Sequence, residues 1–366
     1  MNLATTGRAV LLLTALILAA CGGGASTTAN TEPTPTATCD PNDPATVDEC
    51  GTVLIGFTDA DGDFLHYAVD IISLTLETAN GRTVEVLPQD TRVNFTDYVD
   101  LTELVSAVSV PPAVYVSGTI SLDYSNAEVV VEDSMSPSGS KDAVVTDLEG
   151  TRLGMTDLKI VLSERDQLIV TRQRAAFLQL DFDLEASHEV DLTETRAEAK
   201  LAKFILAEVH PVDEKDIRVR GPLVEVNEDA MNYVIRVRPF NDRASDFGRF
   251  VINVTDETEF EVDEIMYVGS EGLRALSAAG TGTPTVAAGT LSTSDRAFTA
   301  DIVLAGSSVP GHDRDAVVGN VIARTGNFLT VRGATIIPNA ASVDRPVHFH
   351  DDVVCLLYTS DAADES

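Results

Sequence analysis

The stretch Ala68-Val-Asp-Ile-Ile-Ser-Leu-Thr-Leu-Glu-Thr-Ala-Asn-Gly-Arg-Thr-Val-Glu-Val-Leu87 decides the fold class. Val69 and Ile71, then Leu74 and Leu76, recur two apart, the period of a strand with one buried face. Asn80-Gly81 tolerates the positive φ that a two-residue hairpin demands and is its strongest short signal. Thr83 to Leu87 is therefore expected to return antiparallel.

The same texture extends outward. Thr52 to Phe57 reads as a short apolar strand, and Asp59-Ala60-Asp61-Gly62-Asp63 as a turn. Leu101 to Ala107 reads as a brief helix. Pro111-Pro112 opens an expected β-pair, Val114 to Tyr124 with Ala127 to Glu132, and further strands are expected over 157–163, 166–171 and 176–182. Short strands separated by turn signals predict a mainly β chain, with a β-sandwich over 51–213.

Several residues of this region carry a resemblance. Phe57-Thr58-Asp59-Ala60 with Gly62-Asp63-Phe64 is one part, and Val99-Asp100-Leu101 ahead of Leu104 another. Leu180-Asp181-Phe182-Asp183 with Ala186-Ser187, then Ala207-Glu208-Val209 before Pro211, complete it. Together they resemble a domain of unknown function widespread in bacterial and archaeal lipoproteins. The resemblance implies an architecture and brings no chemistry.

Past Asp213 the pattern changes. Ile217 to Val226 reads as a strand around Gly221, followed by strands at Tyr233–Arg238 and Arg249–Thr255. The theme returns as Val317-Val318-Gly319-Asn320-Val321, which aligns with Val219-Arg220-Gly221-Pro222-Leu223; Leu329-Thr330-Val331-Arg332 likewise aligns with Ile235-Arg236-Val237-Arg238. A recurring strand–Gly–strand opening predicts tandem units. They resemble a second lipoprotein-associated domain of unknown function, a five-stranded OB-like barrel. One copy is expected over 214–310 and an incomplete second over 311–354. Residues 277–290, all small or Thr-rich, are expected to form a loop inside the first copy.

The N-terminus addresses the chain. Arg8 precedes an uncharged run from Ala9 to Ala20. That run is shorter than the ~20 residues needed to span a bilayer, and it ends in small residues, as a secretory signal peptide (1–20) does. Leu18-Ala19-Ala20-Cys21 resembles the lipobox of bacterial lipoproteins, which implies lipidation of Cys21. Two or more acyl chains hold a protein stably to a membrane. Residues 21–50, rich in Gly, Ser, Thr and Pro, carry too few apolar side chains for a core and read as a disordered tether. The expected location is the cell envelope, lipid-anchored and facing the periplasm or exterior. Cys39 and Cys50 are expected to pair in that oxidising compartment. At the other end Cys355 to Glu365, Cys-Leu-Leu-Tyr-Thr-Ser-Asp-Ala-Ala-Asp-Glu, resembles the translation of a sequencing adapter, so 355–366 is set apart from the fold.

Composition narrows the partners. The net charge is −33, from 58 Asp+Glu against 25 Lys+Arg, and there is no Trp. Such a surface repels nucleic acid, whose binding needs cations on phosphates, and OB-type binding of single strands also needs stacking aromatics. A protein or surface-glycan partner fits better than a nucleic acid.

Three clusters are candidates for chemistry. Asp59, Asp61 and Asp63 suggest a calcium turn, but Gly62 falls at the fourth position of the loop, so it is no EF-hand. Asp181 and Asp183 would share a strand face without a nucleophile or cation near in sequence; His188 lies in a polar stretch. His348-Phe349-His350 has the spacing of two ligands on one strand face, suited to zinc or copper. No nucleophile elbow, phosphate loop or His-Glu-x-x-His occurs. The expectation is a non-enzymatic structural, adhesion or binding module with no cofactor. The competing expectations are a metal-dependent envelope enzyme completed by a missing C-terminal region and a calcium-stabilised adhesin.

Overall fold

Alternating and β-branched residues dominate the chain, and strands dominate the fold. The computed structural model describes residues 39–40, 46–59, 63–99, 101–162, 167–172, 174–193, 197–201, 206–208, 216–239, 245–292, 297–339, 347–349 and 352–356. Cys21, Asp61 and His350 lie outside them. The first strands are β1 (Gly51–Thr58), β2 (Phe64–Thr78), β3 (Thr83–Glu85), β4 (Thr91–Asn94), β5 (Leu101–Val110) and β6 (Ala113–Glu132). Next come β7 (Ser140–Thr146), β8 (Met155–Val161), β9 (Leu168–Val170), β10 (Ala175–Asp181), α1 (Leu184–Ser187), β11 (His188–Asp191), β12 (Ala197–Leu201) and β13 (Leu206–Glu208). Then follow β14 (Asp216–Asn227), β15 (Asn232–Arg236), β16 (Arg249–Asn253), β17 (Glu259–Val262), β18 (Ile265–Val268), α2 (Ser270–Ala279), β19 (Pro284–Leu291) and β20 (Phe298–Ala305). The last are β21 (Ala316–Thr325), β22 (Phe328–Ile337), β23 (Val347–His348) and β24 (Val353–Leu356).

The hairpin at Asn80-Gly81 forms as its residues dictate. Gly81 takes φ 81°, and β3 returns along β2 with Leu76 opposite Val84. The next reversal does not occur. Val114 to Glu132 lies within one strand, β6, that runs antiparallel to β2. The Asp123-Tyr124-Ser125-Asn126 turn signal becomes a bulge: Asp123 stands opposite Asp70, while Glu128 already faces Ala68. Asp123 Oδ1 accepts from the Ser125 N–H at 2.9 Å. Arg92 fastens the bulge by donating to Asp70 Oδ1 (3.1 Å) and to the Asn126 carbonyl (2.8 Å). An extra loop of chain in one strand bends it and increases its twist, which lets two long strands curve over the core.

Leu101 to Ala107 is strand, not helix. Leu101, Leu104 and Val105 imitate helical spacing, but β5 lies between β1 and β14 and is buried along most of its length. Two-sided burial removes the alternation by which a strand is recognised. Residues 277–290 are likewise not one loop: α2 ends at Ala279, and β19 pairs with β14 on one side and β20 on the other. Small side chains suit that close approach; a Cβ on Gly289 would stand 2.1 Å from the Thr299 carbonyl oxygen.

The sheets are mixed. β1 and β10, β5 and β14, and β7 and β12 pair in parallel, while most neighbours are antiparallel. An eleven-stranded sheet runs across the boundary expected at 213/214, because Asp216, Ile217 and Arg218 continue it beside Leu101, Thr102 and Glu103. Within it β14, β15, β16, β20 and β19 pair in a ring that returns to β14. One hydrophobic cluster runs from Val53 to Ala305. β21 to β24 form a separate four-stranded sheet, which touches β2 where Gly333, at φ 61°, meets the Leu65 carbonyl.

At the β5–β14 junction Glu103 is fully buried. Arg218 Nε donates to its Oε2 at 2.5 Å and Arg220 Nε to its Oε1 at 2.8 Å. The two arginines are two residues apart on one strand, so both point the same way. A buried carboxylate stripped of such partners costs about 3–5 kcal/mol.

Candidate functional site

Parallel pairing of β1 with β10 sets Thr58 beside Asp181, and the Phe182 N–H donates to the Thr58 carbonyl at 3.1 Å. That register brings Asp59, from the acidic turn, to the Asp181–Asp183 segment. The two clusters were separate in sequence and are neighbours in the fold.

Their carboxylates accept from backbone N–H groups. Asp59 is buried, and its Oδ1 accepts from the Leu184 N–H at 3.1 Å. Asp181 Oδ1 accepts from the Asp183 N–H (3.1 Å), and Asp183 Oδ1 from the Ala186 N–H (3.0 Å). Asp183 is thus the N-cap of α1 and takes φ 24°, left of the usual range for a side-chain-bearing residue. The expectation that Asp181 and Asp183 share a strand face is corrected: β10 stops at Asp181, and the helix cap turns Asp183 away. An N-cap carboxylate contributes about 1 kcal/mol by satisfying an otherwise orphaned helix N–H.

Immediately after α1 stands His188, the residue whose surroundings the sequence least revealed. Its Nδ1 lies 2.9 Å from the Leu184 carbonyl. A carbonyl only accepts, so Nδ1 carries the proton and Nε2 is the acceptor. Nε2 then accepts a hydrogen bond from the Tyr67 hydroxyl, 2.9 Å away, and the Tyr124 hydroxyl lies 3.5 Å beyond that of Tyr67. Phe64 and Tyr67 meet the imidazole ring edge-on, with centroids 5.2 and 5.1 Å away. Burial lowers the His188 pKa to about 4, against a partial opposing effect of the Leu184 carbonyl. Burial likewise pushes Tyr124 up to about 12 and Tyr67 well above the ordinary phenol value. The linked His188, Tyr67 and Tyr124 side chains are therefore neutral near pH 7, and they order one another rather than carry charge.

The remaining sequence-stated candidates separate. Asp63 is exposed, and its carbonyl accepts from the Glu132 N–H. Its side chain shares no described ligand cluster with buried Asp59. His348 stands in β23 opposite Thr335. Cys39 and Cys50 form a disulfide with Cα atoms 4.9 Å apart. Cys355 lies in β24 opposite Leu329, so that strand extends past the boundary expected at 354/355. Among the described residues no group of three or more His, Cys, Asp or Glu is arranged to hold a metal ion. Sequence reasoning missed Glu103 with Arg218 and Arg220; the one local signal was the Arg-x-Arg spacing on a strand. No family model matches the chain, and neither a curated protein nor a solved structure matches it.

Proposed function

We propose that this chain is a lipid-anchored protein of the bacterial cell envelope, acting as a non-enzymatic structural or binding module. Leu18-Ala19-Ala20-Cys21, at the end of an uncharged apolar run, carries the reading. Cys21 takes the lipid, and residues 22–50 space the body from the membrane. The body holds a β-sandwich over 51–213 and a small OB-like barrel over 214–310. The ring of β14, β15, β16, β20 and β19 supports the barrel, and the recurrence at Val317 supports a second unit. Two further observations favour a scaffold over an enzyme: Asp59, Asp181 and Asp183 accept from backbone N–H groups, and Glu103 joins two strands. The acidic balance favours a protein or glycan partner over nucleic acid.

Cys21→Ser tests the anchor in a bacterium with a lipoprotein-processing pathway. The native chain should incorporate a clickable fatty acid and partition into detergent after a high-salt wash. The variant should do neither while keeping the far-ultraviolet circular dichroism of a β protein. A Cys21→Ser chain that stays with washed membranes ends this reading.

A further inference from the structure

β18 is the terminal strand of the eleven-stranded sheet, and among the described residues it pairs with β17 alone. Its residues, Ile265-Met266-Tyr267-Val268, are uncharged and of high β propensity. Ile265, Met266 and Val268 are 56, 62 and 54% exposed. Natural sheets protect an open edge with lysine, proline or a bulge, because unpaired N–H and C=O groups recruit another strand. β18 carries none of these.

The strand is fastened at both ends by hydrogen bonds. Asp263 and Glu264, the two residues between β17 and β18, take φ 51° and 66°, values that a two-residue hairpin needs and that usually call for Asn or Gly. Three contacts hold this strained pair. The Asp263 N–H donates to the Ala305 carbonyl (3.1 Å), the Ser307 N–H to Asp263 Oδ1 (3.0 Å), and the Glu264 N–H to Ser308 Oγ (2.8 Å). At the far end the Gly269 N–H donates to the Thr258 carbonyl at 2.8 Å. Val262 and Ile265 close the hairpin, so the alternation of an antiparallel ladder turns the N–H and C=O of Met266 and Val268 toward the open side.

The charge around the edge is mainly acidic, and Arg274 of α2 donates to the Ser270 carbonyl at 3.2 Å. Glu261 stands opposite Met266 and Glu259 opposite Val268, and Glu271 opens α2. Arg314 neutralises Glu264 at 2.7 Å; among the described residues Glu259, Glu261 and Glu271 form no ion pair. We infer that β18 is a docking edge for an extended segment of a partner protein in which apolar residues alternate with Lys or Arg. The main-chain ladder supplies the pairing, Met266 and Val268 meet the apolar positions, and Glu259, Glu261 and Glu271 receive the cations. This is strand addition to an exposed sheet edge, with the acidic rim selecting the partner's charge.

The test uses the full chain and two labelled decapeptides, one alternating Val with Lys and one alternating Val with Glu, read by fluorescence anisotropy. The Val–Lys peptide should bind and weaken about tenfold or more between low and moderate salt, while the Val–Glu peptide should not bind. Met266→Pro removes an outward N–H without touching the β17 ladder and should abolish binding. Because proline could disturb the strand, Val268→Lys serves as a second variant: it keeps a strand-compatible side chain and should weaken binding by about tenfold through repulsion. No binding of the Val–Lys peptide, equal binding of both peptides, or binding unchanged in both variants overturns the proposal. Dimerisation of the chain that Val268→Lys abolishes, with no peptide binding, overturns it in favour of a second copy as occupant.

Discussion

The hairpin of β14 and β15 and the hairpin of β21 and β22 share one sequence theme and differ in how fully they are buried. In the first, Val219, Leu223, Ile235 and Val237 are buried. In the second, Val317 and Val321, aligned with Val219 and Leu223, are 43 and 58% exposed, while Val331, aligned with Val237, is buried. Both form antiparallel ladders with a register shift near the glycine or just past it. Pairing is therefore local, and burial is not. It comes from β16, β19 and β20 completing a ring with the first hairpin, whereas among the described residues the second pairs with β23 and β24 alone. A second difference follows: the positions aligned with Arg218 and Arg220 are Ala316 and Val318, so only the first hairpin is tied by charge to β5.

The largest expected effect breaks this comparison at its glycines. Gly221 takes φ 156°, and a Cβ there would stand 1.8 Å from the Arg236 carbonyl oxygen. Gly319 has no positive φ, and a Cβ there would meet Val331 Cγ1 at 2.7 Å, with the Ala334 Cα and the Arg332 carbonyl oxygen at 3.0 Å. Gly221→Ala should cost about 4–5 kcal/mol, among the largest single-residue losses, because the partner strand's backbone cannot retreat inside a ring. Gly319→Ala should cost less, about 1–3 kcal/mol, since no positive φ is lost and the closest obstacle is a side chain. Native-state amide exchange reads each hairpin separately. Equal losses in the two variants mean that the ring does not distinguish them.

The next effect concerns the tie itself. Glu103→Ala leaves two guanidinium groups without their carboxylate and should cost about 3–5 kcal/mol by urea unfolding. Changing Glu103, Arg218 and Arg220 together to Met should recover most of that loss, because apolar replacements of a whole buried ion group are often neutral or better. A triple variant as unstable as Glu103→Ala would mean that the ion group sets strand order and not merely local stability. The second hairpin's exchange should be unchanged in both variants.

What the residues disclosed in advance follows the same division between local and distant causes. Asn80-Gly81, the strand around Gly221 and the recurrence at Val317 were legible because each rests on a few adjacent side chains. Leu101 to Ala107 misled because a strand buried on both sides loses its alternation, and residues 277–290 misled because small side chains suit a close-packed strand as well as a loop. Asp59 read as a surface ligand, yet its partner, the Leu184 N–H, lies in another segment of the chain. Glu103 gave no local sign, since Arg218 and Arg220 approach it only through the parallel pairing of β5 with β14. His188 lay in a polar stretch of sequence; the ring of Phe64 and the hydroxyl of Tyr67 that enclose it come from β2.

The smallest effect sharpens the comparison through pH. Unfolded, His188 would titrate near its ordinary 6.5; folded, burial holds it to about 4. Between those values the unfolded chain binds a proton that the folded chain refuses, so stability present above pH 6.5 is lost as pH falls toward 4, by up to about 3 kcal/mol. Protonation also turns Nε2 from an acceptor into a donor and breaks its bond from Tyr67. Carboxylates titrate in the lower part of this window, so the measurement is a difference: urea midpoints of the native chain and of His188→Gln at pH 7.5, 5.5 and 4.5. The variant should lose less stability across that range, and parallel curves would show that His188 is not the group responsible. The two hairpins should respond differently. Tyr67 and Tyr124 belong to the same hydrophobic cluster as Val219 and Ile235, so acid should speed amide exchange in the first hairpin. The second hairpin lies outside that cluster, and its exchange, corrected for the intrinsic pH dependence of the amides, should not change.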